Sequence, residues 1–305
     1  MVVPAPAHAR RLAYLGTPEM AVPPLVALLD AGFDVPLVVT RPDKRRGRRG
    51  APTPRPVKVA ALDRGLRVSH DVGDVLGVGA DLGVVVAFGR IIKPEVLDEL
   101  PMVNLHFSLL PRWRGAAPVE RAILAGDPTT GVCVMAVEEG LDTGGVYARQ
   151  AVTIRRGSGA DQLRDQLVEV GTRLLVRTLL DGLGQPEPQV GEATYAEKLT
   201  ATDLCLDWRR PADQLARVVR VGGAWTTFRG HRLKVHGAVA IPEEVGAGQP
   251  GELHDDRVTT GVGVLQVTEV QPEGRSRVRF GDWRHGAHPV VGEVLGHGAP
   301  VVTSA

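Results

Sequence analysis

The stretch Leu82-Gly83-Val84-Val85-Val86-Ala87-Phe88 is apolar on both faces, which is typical of a central strand in a parallel sheet. Outward from it, apolar runs that predict strands alternate with segments that predict helices, several of which begin at a proline. Strands are predicted over 12–16, 35–40, 66–69, 102–107 and 132–137, and helices begin near 23, 57, 94, 118 and 162. This alternation predicts an α/β fold, a Rossmann-like open parallel sheet over about the first 180 residues.

The composition changes after the last of these helices. Gln185-Pro186-Glu187-Pro188 opens a polar stretch, and short runs rich in Val and Thr, separated by Gly, follow from about residue 225. Such short strands predict a small barrel or sandwich. We therefore expect a first domain over 1–184, a linker over 185–204 and a second domain over 205–305, which is consistent with a chain of 305 residues.

The sequence lacks the features that usually indicate several other classes of protein. No run of eighteen apolar residues predicts a transmembrane helix, and residues 1–13 lack the apolar core of a secretory signal. Two cysteines, Cys133 and Cys205, make neither a disulfide framework nor a cysteine-rich zinc site, so a cytoplasmic location is expected. Gly16-Thr17-Pro18-Glu19 replaces the dinucleotide-binding G-x-G-x-x-G, and the chain has no P-loop, no H-E-x-x-H and no G-x-S-x-G.

The net charge of +1 conceals one concentrated basic segment. Residues 41–58 contain eight basic side chains and one acidic side chain, whereas the rest of the chain is net acidic by six charges. Because six Pro and Gly residues interrupt this segment, it is predicted to be a loop. Taken alone, such a loop is most often an ordinary solvated surface.

Polar side chains follow two of the predicted strands. Asn104 and His106 lie two residues apart at the end of one strand, so they face the same side of the sheet. Asp142 follows the next strand in a Gly-rich turn. Because open α/β sheets bind their ligands at the carboxyl ends of their strands, an amide, an imidazole and a carboxylate could meet in one pocket there. Taken singly, each is more often a turn residue with an ordinary structural role.

The motifs around these residues resemble the folate-dependent formyltransferase family. Asn-x-His-x-Ser-Leu-Leu-Pro spans 104–111, Arg-x-Arg-Gly-Ala-Ala-Pro spans 112–118, and Leu-Asp-Thr-Gly spans 141–144. The match is closest to the branch that acts on initiator tRNA. It rests on Gly16-Thr17-Pro18-Glu19, Arg41-Pro42-Asp43, Gly47-Arg48, Pro54-x-Pro56-Val57-Lys58, Tyr195-Ala196-Glu197-Lys198-Leu199 and Asp207-Trp208. The resemblance covers about residues 11–210.

The resemblance implies a reaction and its participants. The formyl donor would be 10-formyltetrahydrofolate, and the acceptor would be the α-amine of methionine on initiator methionyl-tRNA. No metal is expected, because no cluster of ligands has a suitable spacing, and no obligate protein partner is evident from the sequence. The substrate amine is then the nucleophile. By similarity, Asn104 would hydrogen-bond the oxyanion, His106 would shuttle the proton, and Asp142 would orient His106.

Two loops receive binding roles from the same resemblance. Ser108, Leu109, Leu110 and Pro111 match the folate-binding loop of the family, in which the leucines would form an apolar wall. The basic segment matches a loop that enters the acceptor arm of the tRNA, which assigns tRNA binding to Arg45, Arg46, Arg48 and Arg49.

The second domain resembles the OB-like barrel of the family, which contacts the tRNA backbone. Residues 221–226 depart from the family because they lack the expected aromatic and proline residues before Trp225-Thr226, which puts local tRNA contacts in doubt. We interpret Trp208, Trp225 and Trp283 as packing residues.

Three other functions fit part of the pattern. A formyltransferase acting on a small amine such as an amino-sugar nucleotide, or a formylfolate hydrolase, would keep the three polar residues but would not need the basic segment. An RNA-binding protein without catalysis would need the basic segment but not the three polar residues.

Overall fold

A computed structural model describes residues 4–45 and 52–296 of the chain. These residues form two compact units. The first unit comprises the described residues up to Val119, Thr129–Thr153 and Leu163–Glu197; the second comprises Glu120–Pro128, Ile154–Gln162 and the described residues from Lys198 onward. The division after Glu197 falls inside the stretch 185–204 that the sequence predicts as a linker.

The main sheet of the first unit contains seven strands, and helices connect several of them. In chain order the elements up to residue 197 are β1 (Arg11–Gly16), the 3-10 helix Glu19–Ala21, α1 (Val22–Asp30), β2 (Asp34–Val39), β3 (Lys44–Arg45), β4 (Pro52–Thr53), α2 (Pro56–Leu62), β5 (Val68–Ser69), the 3-10 helix Val72–Gly77, β6 (Leu82–Val86), α3 (Pro94–Leu97), β7 (Met102–His106), β8 (Arg114–Gly115), α4 (Pro118–Ala125), β9 (Thr129–Ala136), β10 (Val146–Thr153), α5 (Ala160–Asp181) and β11 (Tyr195–Ala196).

The strand order of the main sheet is β10-β9-β7-β6-β1-β2-β5. Strands β7, β6, β1, β2 and β5 run parallel, whereas β9 is antiparallel to β7 and β10 is antiparallel to β9. The Rossmann-like α/β fold is therefore confirmed, with a sheet that becomes mixed at one edge. The nine residues between β9 and β10 are too few for a parallel crossover, so these two strands pair as a hairpin.

The core of the first unit lies on the two faces of this sheet. All five residues of β6 are buried, as its apolar sequence predicts. One apolar cluster joins Leu15, Leu37 and Val85 to Phe88 and Leu97. Each of the helices α1, α2, α3 and α4 has a proline in its first turn, where the missing N–H costs no helical hydrogen bond.

The second unit is an antiparallel sheet domain, which is consistent with the small all-β domain of short strands that the sequence predicts. Its elements are α6 (Ala212–Val221), β12 (Trp225–Phe228), β13 (His231–Ile241), β14 (Leu253–His254), β15 (Arg257–Thr259), β16 (Val264–Pro272), β17 (Val278–Arg279) and α7 (Phe280–Ala287). The sheet order is β12-β13-β16-β15-β14, with β17 pairing β16.

Strand β17 is only two residues long, because a helix begins directly after it at Phe280. Phe280 and Trp283 are three residues apart, so a helix places both side chains on one face and buries them in the core of the unit. The interpretation of the three tryptophans is confirmed: Trp208, Trp225 and Trp283 are 5%, 2% and 8% exposed.

Candidate functional site

The carboxyl end of β7 places the first two predicted residues. Asn104 pairs in register with Val85 of β6 and Met135 of β9, and His106 pairs with Cys133 of β9. His106 is 5% exposed, whereas Asn104 is half-buried. Among the described residues, none makes a hydrogen bond with the Asn104 side chain. Its amide N–H groups are therefore available to a ligand.

The loop after β7 holds the His106 ring through the backbone carbonyl of Trp113, which lies 2.9 Å from Nε2. Because a carbonyl oxygen can only accept, Nε2 carries a proton in this arrangement. Trp113 has a positive φ of 61°, and its own N–H donates to Thr194 Oγ1 at 2.9 Å. The other ring nitrogen, Nδ1, is thereby turned toward Asp142.

The predicted folate loop divides into buried and accessible residues. Ser108 is fully buried, and its hydroxyl donates to the Arg112 carbonyl at 2.6 Å, which closes the turn. Leu110 belongs to an apolar cluster with Cys133, so it packs into the protein instead of lining an open wall. Leu109 and Pro111 are half-buried. These two side chains, together with the loop backbone, are what a ligand could reach.

Asp142 lies in the turn between β9 and β10, in the left-handed region with φ 51°. Its Oδ2 accepts a hydrogen bond from the Gly115 N–H at 2.7 Å and lies 3.6 Å from His106 Nδ1. The Asp142 side chain is 15% exposed. The structure thus brings the predicted imidazole and carboxylate together, 36 residues apart in the chain, with Asn104 on the same strand as the imidazole.

A segment beyond α5 completes these surroundings. β11 pairs in parallel with β8, so that Tyr195 opposes Arg114 and Ala196 opposes Gly115. Gly115 has φ 112°, and a Cβ there would lie 3.1 Å from the Ala196 carbonyl oxygen. Only glycine suits this position, because the backbone is left-handed and the neighbouring strand is close.

The side chain of Gln189 also reaches the Asp142 turn. Its Nε2 donates to the carbonyl oxygens of Asp142 and Gly144, both at 2.8 Å, and its Oε1 accepts from Arg114 Nε and Nη2 at 3.1 and 2.7 Å. Sequence reasoning missed Gln189 because it lies in a Pro-rich polar stretch that is typical of linkers.

The basic segment is described only in part. Arg45 is exposed at the end of β3, which pairs with β4. Arg46, Arg48 and Arg49 lie outside the described residues. At the base of the segment, Lys58 Nζ donates to Asp43 Oδ2 at 2.7 Å, and this hydrogen bond holds the pKa of Asp43 below its ordinary value. The one acidic residue of the segment is therefore paired.

Two further features are absent from residues 4–45 and 52–296. In that part of the chain, no group of three or more His, Cys, Asp or Glu side chains is arranged to hold a metal ion. None of its helices combines the length and the apolar composition needed to span a membrane.

Comparison with protein families identifies the class. The formyl transferase family matches residues 10–179, and the C-terminal domain of formyl transferases matches residues 198–288. The chain belongs to the formyl transferase family, and the resemblance seen in its motifs is confirmed.

Curated relatives narrow the comparison. The methionyl-tRNA formyltransferase of Heliobacterium modesticaldum is 41% identical over 305 residues, which cover 90% of this chain and 96% of the relative. The methionyl-tRNA formyltransferase of Paenarthrobacter aurescens is 42% identical over 297 residues, again covering 90% and 96%. Among solved structures, the N-formyltransferase of Helicobacter canadensis, in complex with folinic acid and dTDP-3-aminofucose, has a TM-score of 0.65 at 16% identity. That alignment covers 84% of this chain and 98% of the other, and it shows a shared fold.

Proposed function

We propose that this protein transfers the formyl group of 10-formyltetrahydrofolate to the α-amino group of methionine on initiator methionyl-tRNA, giving N-formylmethionyl-tRNA. The observation that supports this most directly is the approach of Asp142 to His106 at the carboxyl end of β7, two residues after Asn104 on the same strand. The names of the relatives that align over nine-tenths of the chain support the choice of acceptor.

The reaction requires little covalent chemistry from the protein. The methionine nitrogen attacks the formyl carbon, and the bond from that carbon to N10 of the folate breaks. The nitrogen loses one proton as it becomes an amide, and N10 gains one proton as it leaves, so protons and bonds balance. The protein must stabilise the negative charge that develops on the formyl oxygen and move the proton.

The Asn104 side chain is suited to stabilise the negative charge that develops on the formyl oxygen. Its amide N–H groups can donate hydrogen bonds. The side chain is half-buried and has no hydrogen-bond partner among the described residues. A donor fixed on a strand needs little reorganisation when the oxyanion forms.

His106 and Asp142 are suited to hold the proton. Nδ1 of His106 faces Oδ2 of Asp142 at 3.6 Å, a separation longer than a formed hydrogen bond. Such separations shorten in substrate complexes. An imidazolium would donate from Nδ1 to the carboxylate and from Nε2 to the Trp113 carbonyl, so both of its N–H groups would be satisfied.

The folate would lie against the loop after β7. The half-buried side chains of Leu109 and Pro111 offer apolar contact, and the backbone of residues 108–111 offers hydrogen-bonding groups to the pterin ring. Leu109 itself packs over Gly131, where a Cβ would lie 2.5 Å from its Cδ2. This packing fixes the wall against which a flat ring could rest.

The basic segment supports tRNA, instead of a small amine, as the formyl acceptor. Residues 41–58 carry a net charge of +7, and Arg45 is exposed. We assign tRNA contacts to Arg45, Arg46, Arg48 and Arg49. Phosphate groups are the ligands that such a cluster attracts, and a small amine acceptor would not need it.

The test is formyl transfer from 10-formyltetrahydrofolate to purified initiator methionyl-tRNA. Elongator methionyl-tRNA and uncharged initiator tRNA serve as controls. Formylation confined to the charged initiator is expected. Deformylation of the folate by water or by a small amine, with no tRNA formylated, would overturn the acceptor and leave the family assignment intact.

A further inference from the structure

The chain around Gln189 is fixed on both sides by backbone hydrogen bonds. Glu187 exchanges two with Val146, at 2.8 and 2.9 Å, and the Thr194 carbonyl accepts from the Arg114 N–H at 2.8 Å. Between them Pro188 and Val190 are exposed, Val190 to 86%, whereas Gln189 is half-buried. The anchored backbone therefore carries one inward-facing polar side chain in an otherwise exposed stretch.

The orientation of the Gln189 amide is set by its partners. Arginine N–H groups can only donate, and backbone carbonyl oxygens can only accept. The oxygen must therefore face Arg114, and the nitrogen must face the carbonyls of Asp142 and Gly144. The amide thus joins two loops that meet beside His106.

The turn that Gln189 holds is the one that presents the Asp142 carboxylate. Asp142 has a positive φ, and a Cβ at Gly144 would lie 2.1 Å from the Ala136 carbonyl oxygen, so the turn is tight. Two of its carbonyls find their side-chain donor in Gln189. From this turn the carboxylate accepts the Gly115 N–H and faces His106.

We infer that Gln189 is a positioning residue for the reaction: it keeps the Asp142 turn in the conformation that sets the carboxylate against His106. This inference rests on the proposed function for its kinetic consequence, but the geometry that it invokes is measurable without turnover. Removing the two N–H donors of Gln189 should allow the Asp142 carboxylate to move away from its position against His106. Displacements of about 1 Å at a reacting group can cost roughly a hundredfold in rate.

Two substitutions distinguish the role of the Gln189 amide oxygen, which accepts from Arg114, from the role of the amide nitrogen, which donates to the Asp142 turn. Gln189→Met keeps the length of the side chain and removes both the amide oxygen and the amide nitrogen. Gln189→Glu keeps an acceptor for Arg114 but places oxygen against two carbonyl oxygens. If Gln189 acts through the Asp142 turn, both variants lower kcat by about tenfold to a hundredfold, with the KM for each substrate changed less than about threefold. If only the hydrogen bonds with Arg114 matter, Gln189→Glu behaves as the wild type, and the inference is wrong.

The control is Glu187→Gln, two residues away in the same segment. The Glu187 side chain is 77% exposed and pairs with Arg149 on the edge strand. This variant should keep the wild-type kcat. Thermal unfolding of all variants shows whether a loss of rate reflects a loss of fold.

A measurement that needs no activity examines the geometry itself. The Gly115 N–H donates to the Asp142 carboxylate, whereas the neighbouring Ala116 N–H donates to the Ala196 carbonyl at 2.8 Å. Amide hydrogen exchange in the Gln189 variants should accelerate at Gly115 and not at Ala116. Unchanged exchange at Gly115 overturns the inference whether or not the protein formylates tRNA.

A double-mutant cycle with Asp142→Asn completes the test. If Gln189 acts through Asp142, the loss in kcat caused by Gln189→Met shrinks to less than about threefold when Asp142 is already replaced. Additive losses would show that Gln189 acts elsewhere. If the wild type formylates no tRNA, the proposed function fails, and the exchange at Gly115 alone decides on the positioning role.

Discussion

Replacing Asn104 with alanine separates catalysis from stability. The side chain is half-buried and has no hydrogen-bond partner among the described residues, so its removal leaves no buried group without a partner. We expect the free energy of unfolding to change by less than about 1 kcal/mol. The barrier to formyl transfer should instead rise by about 2.7–4 kcal/mol, the usual effect of removing one donor to an oxyanion, which slows kcat by roughly 10²–10³-fold.

The assay for Asn104→Ala is single-turnover formyl transfer with both substrates saturating. Gln150→Ala is a matched control, because it removes an exposed amide side chain from β10 of the same sheet. Asn104 is the only asparagine in the chain, so selective ¹⁵N-asparagine labelling gives one pair of side-chain amide signals. These signals should shift when a non-transferable analogue of 10-formyltetrahydrofolate binds. A rate within about fivefold of the wild type, or signals that do not move in the saturated complex, would refute the role of Asn104.

Three further predictions concern the proton, the tRNA and acid stability. His106→Ala should slow formyl transfer by roughly 10²–10⁴-fold without unfolding the protein, as measured by single-turnover kinetics and circular dichroism; near-normal turnover would remove His106 from the mechanism. Replacing Arg45, Arg46, Arg48 and Arg49 with alanine should weaken tRNA binding and flatten the log–log dependence of affinity on salt by roughly 0.7–0.9 for each phosphate that is no longer neutralised, and an unchanged slope would exclude these residues from the interface. The backbone N–H groups of Arg10 and Arg11 donate to Asp81 and lower its pKa, so Asp81 stabilises the fold above the ordinary carboxyl range and loses this effect as the pH falls through its lowered pKa. The difference in Tm between the wild type and Asp81→Asn should therefore shrink as the pH falls below about 4, and a constant difference from about pH 7 to about pH 3 would contradict this.

Most of the fold could be predicted because the local signals agreed. Apolar runs of the right length marked the parallel strands, and prolines marked helix starts, as at α4, which begins at Pro118 as predicted. Strand β10 was missed because only Val146 and Val152 of its eight residues are buried. An edge strand of this kind has too weak an apolar pattern to be recognised without its hairpin partner.

The candidate site could be predicted only where its residues follow strands. Asn104 and His106 were found by their spacing on β7, and Asp142 by its position after β9. The carbonyl of Trp113 and the amide of Gln189 could not be found in this way. A backbone carbonyl leaves no mark in the sequence, and the hydrogen bonds of Gln189 join residues 45–75 positions apart. Leu110 was assigned to a ligand wall, but the turn after β7 directs it into the core.

Because β8 pairs with β11, which comes late in the chain, the main sheet is synthesised before the last residues that surround the site. All seven strands of the main sheet have been synthesised by Thr153, and α5 ends at Asp181. The groups that meet Trp113, Arg114 and Gly115 come later, from residues 189–196. During synthesis the sheet can form before these residues leave the ribosome. A nascent chain that stops at the end of α5 would therefore contain the sheet with Asn104, His106 and Asp142, but not the segment that contacts the loops around them, which is made within the next fifteen residues.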